Sequence, residues 1–334
     1  MRSYQWSRHV YGRTVHSAIR AADLVFIHGV FVHPLLEASK IATRYGVPYV
    51  LVPHGSLDPY SLVVHGKRKK LWLSVHSKTL FERSAAVLYG TECEMDRSWA
   101  HGLETRPVCI PWPTGGDHST DREGARERIR RKHDIAPGAR LALFCARMAR
   151  VKRPLETIQA FLAAAPPDWV LLCVGPPTPE VPFSKIEAMC AASGRRCICV
   201  GPIFGSALPD YFSAADLFLL LSHSENYGHS AAEALFQGVP VVISPDVGLG
   251  PYIKRYGGGF VSGGASFNDM CEALRSAMQL SPESLAEIGR TGKGWVEREL
   301  SPVHFADRLN ALCLSSGKRT QNRPGRSAIE AVCR

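Results

Sequence analysis

The stretch that decides the fold lies in the second half of the chain. Residues 224–235 read SENYGHSAAEAL, and GVPVV follows at 238–242. Just before them, residues 216–221 (DLFLLL) are almost uninterruptedly apolar, the pattern of a strand buried on both faces of a parallel sheet. In open α/β sheets the carboxyl end of such a strand faces a ligand crevice. Two carboxylates, Glu225 and Glu233, therefore flank a predicted strand-to-helix turn at a ligand-binding edge.

The turn itself has the composition of an anion-binding helix start. Gly228 relieves the backbone before an alanine-rich predicted helix whose first turn carries His229 and Ser230, and unpaired amides at a helix start point toward an anion. Glu233 lies one turn further on, so it and Glu225 can face one ligand, and a carboxylate accepts two hydrogen bonds from a diol. An alternative needs no ligand, because Ser230 and Glu233 also fit a Ser-x-x-Glu capping box.

A second element upstream supplies positive charge. A predicted strand ends in Arg147, and Lys152 follows five residues later, before a predicted helix. The guanidinium offers a fork of donors and the ammonium a point charge, a pair of cations suited to neutralising a bound anion. The alternative is a basic solvated loop, since Arg150 and Arg153 are basic too.

These segments together resemble the donor-binding core of retaining, nucleotide-sugar-dependent glycosyltransferases of the GT4 type, the glycosyl transferases group 1. The resemblance implies that Arg147 and Lys152 clamp the donor diphosphate, that Glu225 holds the sugar and that Glu233 holds the ribose. It also implies donor contacts from residues of the same turn and from the segment after the strand at 197–201, whose backbone would meet the nucleobase: Asn226, Tyr227, Gly228, His229, Ser230 and Ile203. A plain tight turn explains the segment at Ile203 equally well. The family usually has glycine where this chain has Ala146.

Between these elements strands and helices alternate, which implies right-handed crossovers and a parallel sheet covered on both faces. The predicted strands are at 141–147, 169–175, 197–201, 216–221, 241–244 and 260–261, and the predicted helices include 184–192 and 207–215. Residues from about 138 to 300 are therefore expected to form a complete Rossmann-like domain.

The first third contains predicted strands at 24–29 and 49–55, each ending in His-Gly. Residues 53–59 (PHGSLDP) resemble the family segment whose histidine meets the donor sugar across the interdomain cleft, which makes His54 a candidate catalytic residue. A lone histidine is often only a structural hydrogen-bonding residue. In the family this domain begins with another strand and a glycine-rich loop, but residues 1–6 show no such turn. We therefore expect an incomplete amino-terminal domain.

The expected fold class is α/β with the GT-B architecture, two Rossmann-like domains facing a cleft. A chain of 334 residues with 45% hydrophobic content can bury two cores. The expected order is a partial amino-terminal domain, a linker, the nucleotide-sugar-binding domain, a terminal helix packing back toward the first domain and a disordered tail, at residues 1–118, 119–137, 138–300, 301–314 and 315–334.

The net charge is +10 with a pI of about 9.2, and four cations lie in a row at Lys67, Arg68, Lys69 and Lys70. Such a cluster beside apolar residues can bind an anionic membrane surface, where lipid-linked acceptors are found. A solvated helix face is the alternative. Nucleic acid is not an expected partner, because no recognition motif accompanies the charge.

Neither a membrane-spanning run nor a signal peptide is evident, so the expected location is cytoplasmic, with possible attachment to the inner face of the plasma membrane. The ten cysteines lack the spacing of a zinc site, and no Asp-x-Asp metal signature occurs. We therefore expect no metal and no cofactor, with a UDP-, GDP- or ADP-sugar as donor.

The sequence thus predicts a hexosyltransferase that acts with retention of anomeric configuration on a glycan or lipid-linked acceptor, in polysaccharide or glycolipid biosynthesis. The missing glycine-rich loop places activity in question and favours an alternative, a catalytically inactive sugar-nucleotide-binding or scaffolding subunit of a glycan assembly complex. A retaining phosphorylase of the same fold is less favoured, because no phosphate acceptor pocket is marked in the sequence.

Overall fold

The computed structural model describes residues 13–115, 121–194 and 196–317. The expectations for residues 1–6 and for the tail beyond residue 317 lie outside the described residues. The chain divides into two compact units. Of the described residues, the first unit contains 13–89, 99–108 and 306–317, and the second contains 90–98, 109–115, 121–194 and 196–305.

The strands, in chain order from β1 to β10, are Val25–His28, Tyr49–Val52, Ala86–Tyr89, Pro107–Cys109, Arg140–Cys145, Trp169–Val174, Cys197–Gly201, Leu217–Leu220, Val241–Ile243 and Gly259–Val261. The α-helices, from α1 to α14, are Arg13–Ala21, His33–Arg44, Pro59–Val63, Gly66–Ser77, Glu92–Arg97, Arg122–His133, Pro154–Ala164, Phe183–Ala192, Leu208–Ala214, His229–Phe236, Gly250–Tyr256, Phe267–Met278, Pro282–Glu299 and Pro302–Ser316. Within the described residues these helices are too short or too polar to cross a bilayer.

The first unit is built on a four-stranded sheet in the order β1-β2-β3-β4. β1, β2 and β3 pair in parallel. β2 and β3 are buried along their whole length, as expected for strands covered on both faces.

The second unit is built on a six-stranded parallel sheet in the order β10-β9-β8-β5-β6-β7. Residues of β8 alternate between two cores: Phe218 and Leu220 join one cluster, and Leu217 and Leu219 the other. Successive side chains of a strand point to opposite faces, so helices must cover both sides of this sheet. Together with the first unit, this confirms the predicted α/β fold class.

Most of the interval 119–137, which the sequence analysis describes as a linker, is the helix α6. Asp121 caps this helix by accepting from the Gly124 N–H at 2.8 Å. Ala125 and Ile129 of α6 are buried in the second unit, and Arg126 forms an ion pair with Asp216. The amphipathic pattern was hidden by the many basic residues of this helix.

Candidate active site

The second sheet contains one reversal of strand order that locates a site. The chain runs from β5 to β6 and β7 on one side, and then returns so that β8 pairs with the other side of β5, Ala142 opposite Leu217. Ligands of open α/β sheets bind at the carboxyl ends of the strands at such a switch point. Arg147 and Lys152 follow β5, while Glu225 and Glu233 follow β8. The four predicted site residues therefore follow the two strands that flank the switch point.

The loop that carries Glu225 is held by backbone hydrogen bonds on two sides. The Glu225 N–H donates to the Asp246 carbonyl at 3.1 Å, and the Glu225 carbonyl accepts from the Gly248 N–H at 2.8 Å. On the other side, the His223 N–H donates to the Val151 carbonyl at 2.8 Å. The loop after β8 is thus tied directly to the turn that carries Lys152.

The start of α10 explains the glycine in the motif. Gly228 is the N-cap at φ 103°, and a Cβ there would lie 2.8 Å from the Val247 Cγ1 atom. No side chain caps the helix. Ser230 is the second helical residue rather than the N-cap, so the capping-box alternative for Ser230 and Glu233 is wrong. The helix therefore begins without a side-chain acceptor, as a helix that binds an anion through its amides does.

Lys152 and Glu225 form an ion pair, with side chains 15% and 16% exposed. Burial, and then the neighbouring Arg147 guanidinium, lower the pKa of Lys152 to about 8, whereas contact with the Glu225 carboxylate favours the charged form. Arg147 itself is exposed. The structure thus places a desolvated ammonium in contact with a carboxylate and within the electrostatic influence of a second cation, an arrangement in which a diphosphate can replace the carboxylate as its partner.

Glu233 and His229 project from α10 into the same region. Burial raises the pKa of Glu233, and Glu233 in turn helps burial raise the pKa of Cys145, at the end of β5, to about 12. Burial and then Lys152 lower the pKa of His229. These electrostatic couplings show that Glu233 lies near the end of β5 and His229 near Lys152.

Tyr227 and Asn226 are held by partners that sequence reasoning missed. The buried Tyr227 hydroxyl donates to the Trp112 carbonyl at 2.5 Å, and its ring lies 4.7 Å from that of His229. The Thr91 hydroxyl donates to the Asn226 carbonyl at 3.2 Å. Both partners are far away in sequence and carry no local signal of this role. Tyr227 thus anchors the loop with its side chain.

Ile203 lies two residues beyond β7, which is two strands away from β5, and packs against the hydrophobic core. Nearby, the Gly175 N–H donates to the Gly201 carbonyl at 2.9 Å. A Cβ at Gly175 would overlap the Ala146 carbonyl. The segment of Ile203 is therefore at the same edge of the sheet, but it has no described contact with the side chains around Lys152.

His54 belongs to the first unit and is described there alone. It follows β2 with φ 50°, and its Nε2 atom is hydrogen-bonded to the Nδ1 atom of His28 at 2.8 Å. Because His28 ends the neighbouring strand β1, the parallel register brings the two His-Gly segments together. Burial lowers the pKa of His28. The pairing with His28 was not foreseen, although both His-Gly endings were visible in the sequence.

The two other arginines of the Lys152 turn differ from each other. Arg150 is exposed, as a solvated loop requires, but Arg153 is only 8% exposed. The solvated-loop alternative is therefore wrong for Arg153.

Among the residues that the structure describes, no group of three histidine, cysteine, aspartate or glutamate side chains is arranged to hold a metal ion.

Fold and sequence comparisons define the class of this protein. Anabaena HepE in complex with UDP superimposes with a TM-score of 0.74 at 15% identity, covering 89% of this chain and 80% of that one. Sucrose-phosphate synthase from Thermosynechococcus elongatus gives 0.71 at 19% identity, covering 90% and 75%. The fold is that of the GT-B glycosyltransferases.

The family description Glycosyl transferases group 1 matches residues 125–295, and the chain belongs to this family. The D-inositol 3-phosphate glycosyltransferase of Rhodococcus jostii is 27% identical over 277 residues, 80% of this chain and 61% of that protein. That of Pseudarthrobacter chlorophenolicus is 28% identical over 183 residues, 53% and 43% respectively. The chain spans about half the length of the curated relatives it matches.

Proposed function

We propose that this chain transfers a hexose from a UDP-, GDP- or ADP-sugar to a glycan or lipid-linked acceptor, with retention of anomeric configuration, in polysaccharide or glycolipid biosynthesis. The observation that carries the proposal is the ion pair of Lys152 with Glu225 at the β5–β8 switch point. Structural neighbours solved with UDP and with UDP-glucose support a nucleotide-sugar donor.

The ion pair suggests how donor binding prepares both side chains. A diphosphate that binds at Arg147 and Lys152 replaces Glu225 as the partner of the Lys152 ammonium. The ammonium then donates charge-assisted hydrogen bonds to the leaving group. The Glu225 carboxylate is then free to accept hydrogen bonds from sugar hydroxyls, and Glu233 to accept from the ribose diol. The start of α10 adds amides and the positive end of a helix dipole.

Catalysis in this proposal comes from leaving-group stabilisation and positioning. Arg147 and Lys152 supply the positive charge that the departing nucleoside diphosphate needs, so we propose that the reaction needs no metal or cofactor. His54 is our candidate for a further catalytic residue, because its hydrogen bond to His28 fixes the orientation of the ring. These assignments are supported by the family motifs and by the geometry of each unit taken separately.

An anionic membrane surface is the partner that we propose for α4. Lys67, Arg68 and Lys70 are exposed on this helix, whereas Lys69 turns inward to lie 5.2 Å from the Phe31 ring. Cations at a helix start oppose the helix dipole, so their position favours a role other than helix stability. Only Leu73 of α4 is buried.

Exposed apolar side chains accompany these cations. Val63 is 79% exposed, Leu71 67% and Val75 62%. Basic and apolar side chains that share one exposed segment are typical of proteins that bind at the bilayer interface. The chain should sediment with phosphatidylglycerol vesicles and should stay in the supernatant with phosphatidylcholine vesicles. The double substitution Leu71→Ser with Val75→Ser should reduce the amount that sediments with phosphatidylglycerol vesicles. Equal recovery with both lipids would contradict a membrane role.

The transfer reaction itself is tested by incubating the chain with radiolabelled UDP-, GDP- and ADP-hexoses and membrane lipid or glycan acceptors. We expect product from one donor and no product from Glu225→Gln. The coupling constant of the anomeric proton in the product should show the same anomeric configuration as in the donor. Donor binding without turnover on any acceptor would instead support the sugar-nucleotide-binding or scaffolding subunit. An inverted product would contradict the proposed stereochemistry.

A further inference from the structure

Arg153, next to Lys152, is held in an arrangement that is costly in two ways. It is the N-cap of α7 at φ 52° and ψ 47°, with no side-chain capping bond, where Ser, Thr, Asp or Asn is usual. A residue other than glycine in this left-handed region is strained by about 1–3 kcal/mol. Such outliers persist only where the surrounding structure fixes them.

The second cost is burial of the charge. Arg153 is 8% exposed, and no carboxylate forms an ion pair with it among the residues described in the structure. Its Nε atom is buried without a hydrogen-bond partner. A buried cation without an opposite charge is strongly destabilising, and the positive end of α7, which begins at the next residue, adds to that cost.

What the guanidinium does contact shows what this arrangement achieves. Its Nη1 donates to the Ala265 carbonyl at 2.9 Å and to the Met270 sulfur at 3.7 Å. Ala265 immediately precedes the cap of α12, Ser266, which forms a capping box with Asp269. Since α12 packs against α7, Arg153 joins the beginnings of two neighbouring helices.

The turn on the other side of Arg153 carries Lys152. The Arg153 N–H donates to the Arg150 carbonyl at 3.0 Å, closing the single turn at Arg150–Lys152. The left-handed backbone reverses direction here, so the Lys152 ammonium pairs with Glu225 while the Arg153 guanidinium enters the helix layer. The strained residue therefore separates an anchor from a site residue.

We propose that Arg153 is a positioning residue, whose buried guanidinium anchors the turn at 150–152 to the start of α12 and so holds the Lys152 ammonium where the donor diphosphate binds. This inference rests on the proposed donor clamp. It attributes the strained backbone and the buried charge of Arg153 to donor binding, because each is a cost to folding.

The test is Arg153→Gly, because glycine adopts the left-handed backbone without strain and removes the buried charge. We expect an unchanged or higher Tm and, by calorimetry, a Kd for the best-bound of UDP, GDP and ADP that is about tenfold higher. Asp134→Gly is the matched control, since Asp134 is exposed, has φ 50° and lies at the end of α6. It should leave the Kd unchanged.

Wild-type affinity in Arg153→Gly, whatever its Tm, would overturn the inference, because a merely structural arginine changes stability alone. Arg153→Lys retains a cation that can reach the Ala265 carbonyl and should restore part of the affinity. If the glycine variant does not fold, Arg153→Met is titrated in its place, with the same two outcomes. Failure of the wild-type chain to bind any nucleoside diphosphate would contradict the proposed function instead.

Discussion

The titration of Lys152 gives a quantitative prediction for donor binding. Its pKa is lowered to about 8, so a proton is lost in an accessible pH range. Only the protonated ammonium attracts a diphosphate strongly. Donor affinity should therefore have its full value at a pH below the pKa of Lys152. It should fall as the pH rises through that pKa.

The size of the effect follows from the protonated fraction. With a pKa of about 8, that fraction falls from about 0.76 at pH 7.5 to about 0.03 at pH 9.5, so the Kd for a nucleoside diphosphate should rise about 25-fold, or about 1.9 kcal/mol. Contact with the Glu225 carboxylate favours the charged form, so Glu225→Gln should move the midpoint of this fall to lower pH.

Calorimetric titration with the best-bound of UDP, GDP and ADP across this range measures the effect. Neighbouring groups do not interfere: burial raises the pKa of Cys145 to about 12 and raises that of Tyr227, while the pKa of His229 is lowered. Lys152→Arg keeps its charge and should remove the pH dependence. A flat wild-type profile, or the same fall in Lys152→Arg, would refute the reasoning.

Three further predictions concern the same region. Glu225→Gln should abolish transfer while the circular dichroism spectrum and nucleoside diphosphate binding persist; normal turnover would remove this carboxylate from catalysis. Arg147→Ala should raise the nucleoside diphosphate Kd by about ten- to a hundredfold, since hydrogen bonds to charged groups contribute about 1.5–3 kcal/mol, whereas the exposed Arg150→Ala should not; equal effects of the two would contradict the clamp. Gly228→Ala should lower the free energy of unfolding by about 2 kcal/mol or more, from its left-handed backbone and steric overlap, and denaturant titration should show a smaller loss for Gly194→Ala, which has φ 62° but open space around it.

The sequence was most informative where the residues of a single strand predicted its burial. The run at β8 is apolar at every position because both of its faces are buried, and this alone placed Glu225 at a ligand-binding edge. The order of the strands was not predictable from such runs. That β5 pairs with β8 rather than only with β6 is a long-range contact, and it is this pairing that brings Lys152 to Glu225.

Sequence reasoning failed where a side chain's environment depends on distant segments. Arg153 was grouped with the solvated cations because it stands among other basic residues in the sequence. Its contacts in the structure are with Ala265 and Met270, more than 100 residues away. The anchoring of Tyr227 by Trp112 spans a similar separation. In α6, buried Ala125 and Ile129 were too few among arginines to reveal a helix.

The most direct test of the central claim is a crystal structure of the chain with its best-bound nucleotide sugar. The account predicts density for the diphosphate between Arg147 and Lys152, for the ribose at Glu233 and for the hexose at Glu225, with the Lys152–Glu225 ion pair broken. A nucleotide bound away from the β5–β8 switch point, or one bound there with that ion pair intact, would contradict it.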